Sequence, residues 1–115
     1  MNAVMTAKRL DARRAPVGPQ VLRRSFVVNL EHGLHARPCA VLIKTLQPYR
    51  VTVQVEANGE KASGKSILGL MALGAGQGSQ ISFSLEGEDA FKAMAEIDRL
   101  FLSNFESVYR AVAVA

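Results

Sequence analysis

A histidine and an arginine lie two residues apart in the segment Gly33-Leu34-His35-Ala36-Arg37-Pro38. The segment joins an alternating apolar stretch to a predicted helix, which places His35 over the first N–H groups of that helix. The positive end of a helix favours the neutral, nucleophilic imidazole. The same N–H groups, with Arg37 nearby, suit a bound phosphoryl group. The segment contains no serine or carboxylate for a hydrolytic triad, so it indicates either a phosphoryl-carrying nucleophile or a histidine that merely caps the helix.

The strands that must support this segment are predicted from apolar residues that recur at every second position. Three segments show this pattern: Phe26-Val28-Leu30, Val51-Val53-Val55-Ala57 and Ile81-Phe83-Leu85. After the second, Asn58-Gly59 predicts a two-residue hairpin turn and a short return strand from Glu60 to Ser63. Because clean alternation buries only one face of each strand, we expect a mainly antiparallel sheet with helices on one side.

Three helices are predicted between and after these strands. The first begins near Ala36 and ends before Pro48, and the second begins at Ser66, a favourable N-cap, and runs to the glycines at 74 and 76. The third begins at Glu88-Asp89. Two inward-facing stripes are expected: Cys39, Leu42, Ile43 and Leu46 on the first helix, and Ala90, Phe91, Met94, Ile97 and Phe101 on the third. The order β-α-β-β-α-β-α predicts an α+β open-faced β-sandwich, with a four-stranded sheet and three helices on one face.

The charge of the chain is concentrated near its N-terminus. Of the 115 residues, 14 are basic and ten acidic, but residues 1–24 carry six of the basic and one of the acidic ones. The remainder is therefore close to neutral, which argues against nucleic-acid binding by the folded part. We predict that residues 1–23 form a flexible basic extension, either a plain solvated tail or a tether to an anionic surface or RNA. Met5 is an alternative start to Met1.

Several functional classes are disfavoured by composition. The longest apolar stretch, from Ile67 to Gly76, is interrupted by glycines and is shorter than the roughly 20 residues of a membrane span. The single cysteine, Cys39, excludes an internal disulfide, and no secretory signal precedes the domain, so we expect a cytoplasmic protein. His32 and His35 have a spacing that two metal ligands could use, but no further ligand cluster exists, so no metal or cofactor is expected.

Residues 59–66 satisfy the nucleotide-binding pattern GxxxxGK[ST]. That motif requires a buried parallel strand before it, whereas here the preceding strand alternates and Asn58-Gly59 turns it back. Only 49 residues follow Ser66, too few for the usual nucleotide-binding domain. We therefore expect no ATP binding here.

Residues 24–103 resemble the histidine-containing phosphocarrier proteins (HPr) of bacterial phosphotransferase systems. The resemblance rests on GLHARP at 33–38, NG at 58–59, KSILGLMALG at 65–74, QG at 77–78 and EGEDA at 86–90. Cys39 stands where the family usually has alanine. Residues 24–103 are thus expected to be an HPr-like domain, and residues 104–115 a C-terminal tail or an extension of the last helix.

The resemblance implies a function for each matching residue. His35 would take a phosphoryl group on Nδ1 from phospho-Enzyme I and pass it to a histidine of an EIIA-type protein, while Arg37 neutralises the migrating group. An apolar patch shared by both partners would consist of Leu34, Ile67, Leu68 and Met71. Such a protein is a stoichiometric carrier rather than an enzyme, and we expect a monomer without cofactors.

Ser66 has a structural and a regulatory interpretation. As the first residue of a helix it is expected to cap the N–H groups there. In some HPr proteins the matching serine is phosphorylated by a dedicated kinase/phosphorylase, and both roles are compatible. The pathway also stays open, because a paralogue in a nitrogen-type phosphorelay, which signals by phosphorylation-dependent protein binding rather than sugar uptake, would carry the same residues.

Overall fold

The computed structural model describes residues 21–105, which contain one four-stranded sheet. Its strands are β1 (Val21–Val27), β2 (Thr52–Ala57), β3 (Glu60–Ser63) and β4 (Gln80–Glu86). They lie in the order β1-β4-β2-β3, and every neighbouring pair is antiparallel. The predicted antiparallel sheet and the predicted order of elements are confirmed.

Three helices within the described range complete the fold: α1 (Ala36–Leu46), α2 (Ile67–Ala72) and α3 (Ala90–Leu102). Their apolar stripes and one face of the sheet form a common core, whose largest buried side chains include Phe83, Leu42, Leu70 and Ile97. The opposite face of the sheet is mostly polar, with the Ser25 and Ser82 hydroxyls 2.7 Å apart, although Val21 and Val27 are also exposed there. Among residues 21–105, no helix is both long and apolar enough to cross a bilayer. The fold is the predicted open-faced β-sandwich.

The hairpin between β2 and β3 also fixes the end of α2. Asn58 and Gly59 have φ values of 54° and 77°, as a type I′ turn requires. The Asn58 side-chain amide donates hydrogen bonds to the carbonyls of Leu73 (2.9 Å) and Gly74 (3.0 Å). These carbonyls lie at the C-terminus of α2, where helix carbonyls lack internal partners. One turn residue therefore joins the sheet edge to the helix that follows.

The first strand differs from its predicted position. It begins at Val21, so residues 21–23 belong to the sheet rather than to the predicted extension. Val28 and Leu30 are buried as expected but follow the strand, where Val28 exchanges backbone hydrogen bonds with Ser79 and Gly78 at 2.8 Å each. The rest of the predicted extension, with both candidate start residues, falls on 1–20 and lies outside the described residues.

The third helix corrects two further expectations. Phe91 was expected to face inward but is 79% exposed, because the buried stripe of α3 runs through Ala90, Ala93, Met94, Ile97 and Leu100. The helix ends at Leu102, and the chain reverses through Asn104 and Phe105, which have φ values of 54° and 62°. The side chain of Phe105 is only 1% exposed. The predicted tail therefore begins with the exposed Asn104 and the core residue Phe105, and its remainder, 106–115, lies outside the described range.

Candidate functional site

The candidate nucleophile His35 is the N-cap residue of α1. Its backbone is extended, with φ −86° and ψ −166°, and its side chain makes no capping hydrogen bond. The main chain is held from both sides, since His35 N–H donates to the Gly33 carbonyl (3.0 Å) and the His35 carbonyl accepts from Cys39 N–H (3.2 Å). The exposed imidazole therefore lies at the positive end of a helix without being used to cap it.

A close backbone contact fixes the loop that carries His35. Gly33 has a φ of 68°, and a Cβ placed there would lie 2.6 Å from the Ala75 carbonyl oxygen and 2.7 Å from the Gly76 Cα. Leu34 N–H donates to the same Ala75 carbonyl at 2.9 Å. Only glycine tolerates both this conformation and this approach. The segment after α2 therefore supports the loop before α1.

Arg37 occupies the first turn of α1 and is exposed. Residues two apart on a helix do not face each other. An arginine side chain is nevertheless long and flexible enough to reach a group bound above the helix end, and its guanidinium suits phosphate geometry. The structure thus brings Arg37 to the same helix end as His35.

Ser66 is the N-cap of α2, as predicted, and its side chain does cap the helix. Its Oγ accepts a hydrogen bond from Gly69 N–H at 3.0 Å, and the residue is half-buried. Serine at this position satisfies one of the N–H groups that every helix leaves unpaired at its start. The structural role expected for Ser66 is therefore present.

The apolar surface expected near the site is only partly exposed. On α2, Ile67 is 38% exposed, Leu68 77% and Met71 41%, and α2 packs beside α1. Leu34, by contrast, is 5% exposed and belongs to the core. Its side chain therefore adds little to a docking surface, because the positive φ of Gly33 turns the chain so that Leu34 points inward. We call Ile67, Leu68 and Met71 the α2 patch.

The nucleotide-binding pattern at 59–66 serves the fold instead. Gly59 lies in the hairpin turn, and β3 pairs antiparallel with β2. Gly64 is buried where a Cβ would clash with the Val53 side chain. Lys65 Nζ donates to the Tyr49 carbonyl at 3.3 Å. Each key residue of the pattern thus has a place in the hairpin or beside α2.

The remaining candidate residues are Cys39 and His32. Burial raises the pKa of the Cys39 thiol, whose Sγ lies 3.5 Å from the Leu34 carbonyl, so it packs as a small apolar residue. His32 is exposed, and its ring centroid lies 6.1 Å from that of His35. Between residues 21 and 105, no three His, Cys, Asp or Glu side chains are grouped to hold a metal ion. The sequence predicted only a loop position for His32. Its spacing of three residues from His35, with Gly33 between them, was nevertheless a signal that the two imidazole rings could lie close together.

Comparisons with known proteins identify the family. The family model described as "PTS HPr component phosphorylation site" matches residues 22–103. A multiphosphoryl transfer protein of Salmonella typhimurium is 39% identical over 80 residues, which are 67% of this chain and 21% of that protein. The chain therefore spans about a fifth of that relative's length.

Solved structures agree with this match. HPr-C-His from Thermoanaerobacter tengcongensis is 33% identical, with a TM-score of 0.70, over 74% of this chain and 96% of that one. The phosphocarrier protein HPr from Bacillus anthracis is also 33% identical, with a TM-score of 0.62, over 66% and 90% of the two chains. The fold and the family model lead to the same conclusion: this chain belongs to the HPr family of phosphocarrier proteins of the phosphotransferase system.

Proposed function

We propose that His35 carries the phosphoryl group, receiving it from phospho-Enzyme I and passing it to a histidine of an EIIA-type protein in the cytoplasm. The observation that carries this proposal is the exposed imidazole at the N-cap of α1, which makes no capping bond. The ring is therefore accessible to a donor protein while it lies at the positive end of a helix, where a negative group is stabilised. Membership of the phosphocarrier family supplies the class of reaction. Neither the described residues nor the relatives favour the signalling alternative.

The proposed reaction is an in-line exchange between two histidines. The lone pair of neutral His35 Nδ1 attacks phosphorus, a new N–P bond forms, and the N–P bond to the donor histidine breaks with its electron pair returning to the donor ring. The N–H groups at the start of α1 and the Arg37 guanidinium stabilise the negative oxygens. Positioning and charge stabilisation therefore supply most of the catalysis. The chain is a stoichiometric carrier, since each transfer consumes its phosphorylated form.

The α2 patch is the proposed docking surface for both partners. Its three side chains are apolar and exposed on a helix that packs beside α1. A carrier has to leave its donor before it reaches its acceptor, and small interfaces dissociate readily. A monomer that exposes one small apolar patch beside its reactive histidine fits this requirement.

Ser66 is a proposed regulatory site for an HPr kinase/phosphorylase. Its hydroxyl caps α2 and immediately precedes Ile67 of the α2 patch. A phosphoryl group there would remain compatible with the helix N-terminus, where negative charge is favourable. It would also place about two negative charges beside the apolar docking surface. Phosphorylation would therefore weaken docking without unfolding α2.

Phosphoryl transfer from labelled phosphoenolpyruvate through purified Enzyme I tests the role of His35. Wild type is expected to take up acid-labile label, because phosphohistidine is acid-labile and phosphoserine is not. His35→Ala should take up none. Lys92→Ala, an exposed change on α3, is the surface control and should label like wild type. Absence of label on wild type, with a cognate Enzyme I shown to be active, would contradict the proposal.

A further inference from the structure

A second histidine faces His35 across the turn that precedes α1. The His32 and His35 ring centroids are 6.1 Å apart, with the ring planes at 74°, in an edge-to-face arrangement. Both side chains are exposed. His32 is not needed by the core or by the hydrogen bonds of the turn, which involve the main chain of its neighbours. Its ring nevertheless lies beside the proposed phosphoryl site.

The backbone beside His32 is anchored, which keeps the main chain of His32 close to that of His35. Gly33 N–H donates to the Leu30 carbonyl at 2.9 Å, and Leu34 N–H donates to the Ala75 carbonyl at 2.9 Å. The Leu30 and Leu34 side chains are 8% and 5% exposed. Moving the His32 backbone away from His35 would therefore require breaking these hydrogen bonds or exposing the two leucine side chains.

Among the described residues, few ionisable groups adjoin this pair. Glu31 precedes His32, and Arg37 follows His35 in the first turn of α1. The segment that packs against the loop, residues 73–79, contains no ionisable side chain, and neither does α2. Within this set, histidine is the residue type whose charge can change near neutral pH, whereas carboxylates and guanidinium groups keep theirs.

We propose that His32 is a pH-dependent positive charge that stabilises the phosphoryl group on His35. The inference rests on the proposed function of His35. A phosphoryl group carries about −1.5 to −2 charges near neutral pH, and an opposite charge at a distance of about 4–6 Å stabilises it. When His32 is protonated the carrier retains its phosphoryl group more strongly, and when His32 is neutral the group is released more readily. His32 positions charge and does not itself accept the phosphoryl group.

Linkage fixes the sign of the effect. A protonated His32 interacts favourably with the phosphorylated form, so that form binds more protons than the free carrier. Lowering the pH through the range in which His32 becomes protonated therefore shifts the exchange equilibrium towards phosphorylated carrier. Other groups of the carrier and of Enzyme I also contribute to the pH dependence of the exchange. These contributions cancel when the exchange equilibrium constant of wild type is divided by that of a His32 variant, measured at the same pH with the same Enzyme I.

The test measures how labelled phosphoryl groups partition at equilibrium between the carrier and Enzyme I from pH 5.5 to 8. His32→Asn removes the titratable charge, and His32→Arg makes the charge permanent. The ratio of wild-type to His32→Asn equilibrium constants is expected to be about 3 to 10 at pH 5.5 and to approach 1 at pH 8. For His32→Arg relative to His32→Asn, the ratio should exceed 1 at every pH, including pH 8, where the wild-type ratio approaches 1.

Control measurements separate this charge effect from structural effects. Because His32 is exposed, thermal unfolding of the three proteins should agree closely. In 1 M salt the pH-dependent ratio should shrink, since the Debye length falls to about 3 Å. A wild-type to His32→Asn ratio of 1 at every pH, with normal labelling, would overturn the role of His32 alone. Label that maps to His32 in His35→Ala would overturn it too, and failure of wild type to take label would overturn both proposals.

Discussion

Helices α1 and α2 begin in opposite ways. At α2 the N-cap Ser66 bonds to Gly69 N–H at 3.0 Å, three residues on. At α1 the side chain of the N-cap His35 makes no capping bond, and the residue three positions on is Pro38, which has no N–H to give. The α2 terminus is therefore satisfied by its own side chain, whereas the α1 terminus lacks the usual capping bond and leaves its imidazole exposed.

The third helix shows that a missing capping bond does not by itself mark a site. Asp89 is the N-cap of α3 and also makes no capping bond. Its carboxylate accepts a hydrogen bond from Arg50 N–H at 2.8 Å instead, which ties the helix to the loop before β2. What distinguishes α1 is the combination of a terminus without a side-chain cap and an exposed histidine, which is the proposed nucleophile. Local choices that cost stability are expected at functional sites.

The largest predicted effect concerns the glycine that shapes the α1 terminus. Gly33→Ala should lower the free energy of unfolding by about 3 kcal/mol, since it combines left-handed backbone strain with a clash against the backbone. The clashing atoms are the Ala75 carbonyl oxygen and the Gly76 Cα. Urea unfolding followed by circular dichroism measures the change.

Gly59→Ala is the matched control for this substitution. Gly59 has a similar φ of 77°, but nothing lies within 4 Å of a Cβ placed there. Gly59→Ala should therefore lower the free energy of unfolding by the backbone strain alone, about 1 kcal/mol. Equal losses in the two variants would show that the approach of residues 75–76 does not constrain the His35 loop.

The next largest effect concerns the cap of α2. Ser66→Ala should lower the free energy of unfolding by about 1 kcal/mol, because Gly69 N–H loses its acceptor. Ser66→Asp keeps an acceptor and should stay within a few tenths of a kcal/mol of wild type. Thermal unfolding distinguishes them, since 1 kcal/mol corresponds to roughly 4–8 °C in a domain of this size. A stable alanine variant would remove the contrast between the two helices.

The sequence predicted most of the frame that holds the site. Alternating residues such as Val53 and Phe83 identified the strands, because a one-faced sheet leaves a period of two in the sequence. Asn58-Gly59 identified the hairpin, and Ser66 the start of α2, because each has a local conformational reason. The strands, the hairpin and the start of α2 each depend on a few residues that are neighbours in the sequence, so they can be predicted before the tertiary structure is known.

Predictions of burial and side-chain direction were wrong or missing where these depend on contacts between residues far apart in the sequence. Phe91 faces outward because small Ala90 and Ala93 occupy the buried stripe, which residue type alone does not reveal. Leu34 faces inward because the loop docks on residue 75, and Phe105 is buried because the chain reverses after α3. The approach of His32 to His35 depends on the same docked loop. Tertiary packing decides each of these positions.

The smallest predicted effect is on the free energy of unfolding when α1 is given a side chain that favours a helix N-terminus, as α2 already has. His35→Asp places a carboxylate at the N-terminus of α1, where it interacts favourably with the helix dipole. Because Pro38 removes the donor that Ser66 uses at α2, the gain over wild type should be only about 0.5 kcal/mol. The same variant should take up no acid-labile label, so stability rises slightly while the proposed carrier activity is lost.

His35→Ala separates charge from the loss of the ring in this experiment. It also abolishes labelling but supplies no carboxylate, so its unfolding free energy should lie below that of His35→Asp. The difference should shrink as the pH falls below about 4, where an aspartate becomes protonated, and should also shrink in high salt. If the aspartate variant is no more stable than the alanine variant at neutral pH, the terminus of α1 does not favour an anion. His35 would then hold its phosphoryl group chiefly through Arg37.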